Sequence, residues 1–177
     1  DNSHIGDHYL KWMNNGIHII TPNKKANSGP IEYYQTCIKN IVQKYDCRII
    51  VLGSEKDKLQ GELLSKTKNV FDLTGKFSLL QSAFVLSKSR GLISNDTGLM
   101  HMATSVKTPV LAIFGSTVKE WGFFPFRSHS IVVENEMLEC RPCTHIGRHS
   151  CPKKHFKCMM DITPDMVVEK FDKLIST

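Results

Sequence analysis

The chain has 177 residues, 41% of them hydrophobic and 23% charged, which suits one globular domain and excludes a disordered or collagen-like chain. Lys and Arg number 23 against 17 Asp and Glu, a formal charge of +6; that excess points to an anionic partner (a phosphorylated small molecule, nucleic acid or an acidic membrane surface) or to a solvated basic face. No apolar run approaches the roughly 20 residues that span a bilayer, and the polar start Asp1–His4 lacks the features of a secretory leader.

Gly16–Thr21 reads as a short buried strand closed by Pro22, and Asn23–Pro30 as a polar loop holding Lys24, Lys25 and Gly29. From Ile31 the period becomes helical: Ile31, Tyr34, Ile38, Ile41, Val42 and Tyr45 share one stripe. Arg48–Gly53 is the next strand, Lys56–Lys66 a weaker helix, and Asn69–Leu73 a short strand followed by Thr74-Gly75. Leu79–Ser87 is predicted helical, with Leu79, Leu80, Ala83, Phe84 and Leu86 as its buried stripe. The pattern then repeats: strand Gly91–Ser94, turn Asn95–Gly98, helix Leu99–Val106, strand Pro109–Phe114 closed by Gly115, and strand Ile131–Val133. Near the end, Thr163 reads as an N-cap with Pro164 at the first helical position; Val167, Val168, Phe171, Leu174 and Ile175 form the buried face of that helix. Apolar strands alternating with helices indicate an α/β fold, a parallel sheet covered on both sides.

Such a sheet binds ligands beyond the carboxyl ends of its strands. The loops there carry Lys24 and Lys25; Ser54 and Glu55; Thr74, Gly75 and Lys76; Asn95, Asp96, Thr97 and Gly98; and Ser116 and Thr117. In Ser94–His101 a strand ends and a helix begins at once. The first amides of that helix, around Thr97, Gly98 and Leu99, have no intrahelical acceptor, and with the helix dipole they form an anion site. Gly98 leaves room for a phosphate, Thr97 adds a hydroxyl, and His101 lies one turn on along the same face. The plainer reading of the same residues makes Asp96 an ordinary N-cap and His101 a core or surface histidine. Neither G-x-G-x-x-G nor G-x-x-x-x-G-K-[ST] is present, and no aromatic-interleaved basic platform suggests nucleic acid.

Four cysteines, Cys140, Cys143, Cys151 and Cys158, fall within nineteen positions, while Cys37 and Cys47 stand apart as core residues. The C-x2-C of the first pair has zinc-knuckle spacing, and His145, His149 and His155 are alternative ligands. Arg141, Arg148, Lys153, Lys154 and Lys157 surround the thiols and favour thiolates. Three readings stand: a structural zinc on the four cysteines, reduced thiols packed in a small subdomain, or disulfides.

Two blocks, Ser94-Asn95-Asp96-Thr97-Gly98-Leu99-Met100-His101-Met102-Ala103 and Thr108-Pro109-Val110-Leu111-Ala112-Ile113-Phe114-Gly115-Ser116-Thr117, resemble the signature of the ADP-heptose:lipopolysaccharide heptosyltransferases, glycosyltransferase family 9. Leu73–Leu79, the Cys140–Met159 stretch and Ile162-Thr163-Pro164 with Val167 are similar to further family segments, so the resemblance runs over roughly residues 17–175. It implies the C-terminal, donor-binding half of a GT-B enzyme. Residues 1–134 and 159–177 would form the Rossmann-like body, and 135–158 a cysteine-rich insertion packed on it. The resemblance assigns the donor diphosphate to Asp96, Thr97 and Gly98 with His101 close by, the nucleotide ribose to Glu55, and the crevice lining to Ser116 and Thr117. Gly75 falls in the family's Leu-x-Gly segment. The family transfers heptose from ADP-heptose to the lipopolysaccharide inner core with inversion and without a catalytic metal. Its base lies in the N-terminal domain, so this chain alone is expected to bind donor without turnover. A related transferase using a UDP-sugar and a non-catalytic, zinc-stabilised nucleotide-binding module are the competing readings. The implied setting is cytoplasmic, at the periphery of the inner membrane. In one place the chain departs from the family: Asn27-Ser28-Gly29-Pro30 stands where members carry a Lys-Arg-Trp-Pro-like motif, which leaves Lys24 or Lys25 to meet the phosphates.

Overall fold

The computed structural model of the chain describes residues 16–21, 30–143 and 150–176. In chain order its elements are β1 (Ile17–Thr21), α1 (Ile31–Tyr45), β2 (Arg48–Val51), α2 (Lys58–Leu64), β3 (Val70–Asp72), α3 (Leu79–Ser87), β4 (Gly91–Asn95), α4 (Gly98–Ser105), β5 (Val110–Phe114), β6 (Ser130–Glu134), α5 (Lys157–Met160) and α6 (Pro164–Ile175). The stretch read as one helix over Lys56–Lys66 divides into a 3-10 turn, Glu55–Asp57, and the shorter α2.

All six strands are parallel, in the order β3-β2-β1-β4-β5-β6. The chain winds outward from β1 to β3, crosses back to β4 beside β1, and winds outward again to β6. The strand order therefore reverses between β1 and β4, and a crevice opens there beyond the strands' carboxyl ends. The pairs Ile20–Ile93 and Thr21–Ser94 put the last residues of β1 level with the end of β4.

Alternation along the strands divides the core in two. On one face Ile20, Ile49, Val51, Ile93, Leu111 and Ile113 pack against Tyr34, Cys37, Ile38 and Ile41 of α1 and Val167, Phe171 and Leu174 of α6. On the other, Ile19, Ile50, Leu52, Leu92, Val110, Ala112 and Phe114 pack against Leu86 of α3 and Met100 and Ala103 of α4. β4 and β5 are buried along their whole length, as strands covered on both faces must be. Thr163 caps α6, its hydroxyl accepting from the Met166 amide at 3.3 Å, with Pro164 in the first turn.

The stripe expected on α3 is turned differently. Only Ser82 and Leu86 of this helix are buried, whereas Leu79, Leu80 and Phe84 are 76%, 84% and 56% exposed. Ser78 caps the helix through reciprocal bonds with Gln81, and that cap sets where the helix starts. Among the described residues no helix is long and apolar enough to cross a membrane.

Candidate functional site

The crevice at the switch point is floored by polar side chains that came from separate parts of the sequence. Thr21, Tyr34, Ser94 and Asn95 are all buried. The Thr21 hydroxyl donates to Ser94 Oγ at 2.5 Å, and the Tyr34 hydroxyl donates to Asn95 Oδ1 at 2.5 Å. Ser94 Oγ lies 2.9 Å from the Asn95 carbonyl oxygen, to which it donates, and 3.0 Å from Thr97 Oγ1. Buried hydroxyls and amides without partners would each cost about 1–3 kcal/mol, so this mutual satisfaction is what lets polar groups occupy the centre of the fold.

Above that floor α4 begins. Its cap is Thr97: the backbone is extended there (φ −144°, ψ 164°) and Thr97 Oγ1 accepts from the Met100 amide at 3.4 Å. The expectation that Asp96 is the cap is corrected by one residue, because its carboxylate is engaged sideways, with Oδ2 accepting from the Thr117 hydroxyl at 3.4 Å. Gly98 is the first residue of α4 and is exposed; a Cβ placed on it meets nothing within 4 Å. Among the described residues nothing covers Gly98, and the first-turn amides and the positive end of the α4 dipole lie at this mouth. His101 is exposed one turn further along.

Glu55 and Gly75 meet at the ends of β2 and β3. Gly75 has φ +68°, a backbone conformation that favours glycine, and a Cβ there would lie 3.1 Å from Glu55 Cα and displace the Glu55 carboxylate. The Gly75 amide donates to the Gly53 carbonyl at 3.0 Å, and Lys58 pairs with Glu55 at 3.3 Å. Neighbouring Thr74 is held by Asp72 Oδ1, which accepts from its amide at 2.9 Å and its hydroxyl at 2.7 Å. Ser116 and Thr117 are buried at the end of β5. Lys24 and Lys25 lie outside the described residues, as do the Asn27–Gly29 positions of the same loop.

Arg141 ties the cysteine-rich stretch to this edge of the sheet. Its guanidinium donates to the Thr117 carbonyl at 2.8 Å, the Asn135 carbonyl at 2.6 Å and Glu134 Oε2 at 2.5 Å, in a pair whose side chains are 4% and 14% exposed. All six cysteines are free thiols in this structure. Cys140 Sγ lies 3.8 Å from His155 Nε2. The Cys151 thiol is held below its usual range by backbone amides, chiefly that of Phe156 with those of Lys153, His155 and Lys154. Burial pushes Cys158 up to about 11, and Cys143, Cys151 and Cys140 add to that rise while Arg141 opposes it. The four thiols are therefore electrostatic neighbours, although among the described residues no three His, Cys, Asp or Glu groups form a cluster suited to a metal ion. His145 and His149 lie outside the described residues.

Sequence reading named Thr97, Gly98, Glu55 and Gly75 but not Tyr34, which it placed on a core stripe, nor Arg141, which it grouped with the cysteines. The signal for Tyr34 was available: a tyrosine on a buried stripe needs a partner for its hydroxyl.

Comparison with known proteins agrees with this architecture. The family model for glycosyltransferase family 9 (heptosyltransferase) matches residues 19–154. A lipooligosaccharide heptosyltransferase 2 of Campylobacter jejuni is 30% identical over an alignment of 182 positions that covers 93% of this chain and 55% of the relative. Among solved structures, the ADP-heptose lps heptosyltransferase II of E. coli aligns with a TM-score of 0.76 at 21% identity, over 98% of this chain and 52% of that one. A glycosyltransferase family 9 structure from Veillonella parvula aligns with a TM-score of 0.80 at 16% identity, over 98% and 51%. The chain spans about half the length of the curated Campylobacter jejuni relatives that it matches. With a family model covering most of its length and the fold shared over nearly all of it, the chain belongs to glycosyltransferase family 9, the heptosyltransferases.

Proposed function

We propose that this chain is the donor-binding domain of an inverting glycosyltransferase that moves heptose from ADP-heptose to the inner core of lipopolysaccharide. The observation that carries the reading is the N-terminus of α4 at the β1–β4 switch point, where a Cβ on Gly98 meets nothing within 4 Å among the described residues. A diphosphate seated there meets the free amides of the first turn and the positive end of the helix dipole. Glu55, fixed over Gly75 on the far side of β1, then meets the ribose hydroxyls. Ser116 and Thr117 line the crevice from beneath, with Thr117 holding Asp96 beside the phosphates. Lys24, Lys25 and His101 add cationic or hydrogen-bonding groups to the same anion.

In the reaction an acceptor hydroxyl displaces the diphosphate at the anomeric carbon, and a carboxylate takes the hydroxyl proton. Negative charge grows on the departing diphosphate, where the fixed dipoles of the α4 turn stabilise it without reorganising. No residue of this chain is assigned the base, which is placed in a partner domain together with the acceptor site. The setting is the cytoplasmic face of the inner membrane, where the lipid-linked acceptor is met.

The cysteine-rich stretch supports a second, structural reading. The C-x2-C spacing of Cys140 and Cys143 and the backbone amides directed at Cys151 favour a structural zinc in this segment; the described His, Cys, Asp and Glu side chains do not gather into a metal site in this structure, so zinc binding would have to draw the thiols together. Metal analysis of chelator-free protein returning four titratable thiols and no zinc rejects this reading.

Thermal-shift titration with ADP, UDP and their sugars tests the donor. A rise in Tm selective for ADP and ADP-sugars is expected. Selectivity for UDP moves the assignment to another nucleotide-sugar, and no response to either leaves a domain that does not bind donor by itself.

A further inference from the structure

The polar floor beneath α4 does more than fill space. Ser94 Oγ has one proton and two lone pairs, yet three groups surround it: Thr21 Oγ1 at 2.5 Å, the Asn95 carbonyl at 2.9 Å and Thr97 Oγ1 at 3.0 Å. Thr21 donates, so one lone pair is taken. Two arrangements remain. In the first, Ser94 donates to the Asn95 carbonyl and accepts the Thr97 proton. In the second, Ser94 donates to Thr97 Oγ1. That oxygen also accepts from the Met100 amide, so its lone pairs are then both engaged and its proton is released toward the helix mouth.

We propose that Thr21, Ser94 and Thr97 form a buried hydroxyl relay, braced by the Tyr34–Asn95 bond, that aims the Thr97 proton at a diphosphate bound over Gly98. Thr21, Ser94 and Tyr34 are positioning residues, acting on the ligand through Thr97 and the α4 turn. The inference rests on the diphosphate reading above. An anion at the mouth of α4 selects the second arrangement, because only there is the Thr97 proton free to meet it. The three hydroxyls then point the same way, and each bond polarises the next. Thr21 and Ser94 are 2% and 0% exposed, so water does not compete for these bonds. Tyr34 fixes the Asn95 side chain, and Asn95 carries the alternative acceptor for the Ser94 proton. The bonds join positions 73 and 61 residues apart, so β1, α1 and β4 are locked together beneath the anion.

Isothermal titration of the wild-type chain and of Thr21→Val, Thr21→Ser, Ser94→Ala and Tyr34→Phe tests this, using ADP and adenosine as paired probes and UDP and uridine as a second pair. Val matches Thr in shape without the proton, and Ser keeps the proton. The increment that matters is the affinity gained from the two phosphates. Thr21→Val, Ser94→Ala and Tyr34→Phe are expected to lose about tenfold in diphosphate affinity, as for a weakened bond to a charged group, with nucleoside affinity unchanged. Thr21→Ser is expected to retain the wild-type ratio. A purely structural role lowers Tm and leaves the nucleotide-to-nucleoside ratio at its wild-type value in every variant, and that result overturns the relay. A wild-type chain that binds nucleoside and nucleotide equally in both pairs overturns the diphosphate reading, and the relay with it.

Discussion

His18 makes the stability of this domain depend on pH in a window that the structure defines. The side chain is 0% exposed in β1, and neither ring nitrogen has a hydrogen-bond partner among the described residues. The ring lies edge-on to Phe171 at 5.0 Å and tilted against Tyr45 at 5.8 Å. Burial among these rings disfavours the imidazolium, Arg90 disfavours it further, and the folded-state pKa falls from 6.5 to about 4. The unfolded chain therefore binds more protons between these two values. Stability from His18 is fully present above pH 6.5, drains as the pH falls through the window, and is spent below about pH 4. Linkage with these two pKa values puts the loss at about 2 kcal/mol by pH 5 and about 3 kcal/mol by pH 4. Urea unfolding of wild type and His18→Leu across pH 7 to 4 isolates the effect, since every other titrating group is common to both. The stability difference between the two is expected to shift by about 2 kcal/mol in favour of the variant between pH 7 and pH 5. Parallel curves for the two proteins would refute the argument.

Two further outcomes follow from the geometry. Gly98→Ala adds a methyl where nothing lies within 4 Å, so urea unfolding should show no loss of stability, while ADP titration should show at least about tenfold weaker binding from steric intrusion on the phosphate. Arg141→Met leaves Glu134 nearly buried without its partner; a loss of about 3 kcal/mol is expected by urea unfolding, and Glu134→Gln in the same background should recover part of it.

Much of the fold was legible from local pattern. Apolar strands alternating with amphipathic helices identify the parallel sheet, and the Thr163-Pro164 cap locates the start of α6, because these signals act within a few residues of one another. The candidate site was legible where its chemistry is equally local: a strand end, Thr97, Gly98 and a helix are contiguous. The cap was misplaced by one residue because Asp96 and Thr97 are both competent caps. Their choice depends on Thr117, a neighbour 21 positions away that holds the Asp96 carboxylate.

The α3 stripe shows the limit from another side. Periodicity marks Leu79, Leu80 and Phe84 as one face, but which face meets the sheet depends on where the crossover from β3 to β4 lays the helix. That placement buries Ser82 and Leu86 instead. The sequence by itself determined the element types, the doubly wound class, the family and the strand–turn–helix junction proposed as the anion site, all of which follow from neighbours along the chain. Only the tertiary structure decided that Thr21, Tyr34 and Ser94 sit beneath that turn, that Glu55 lies over Gly75, and that Arg141 clamps the cysteine-rich stretch to the loop after β5. Those contacts join residues from 20 to 73 positions apart, and no local pattern encodes which distant partner satisfies a buried polar group.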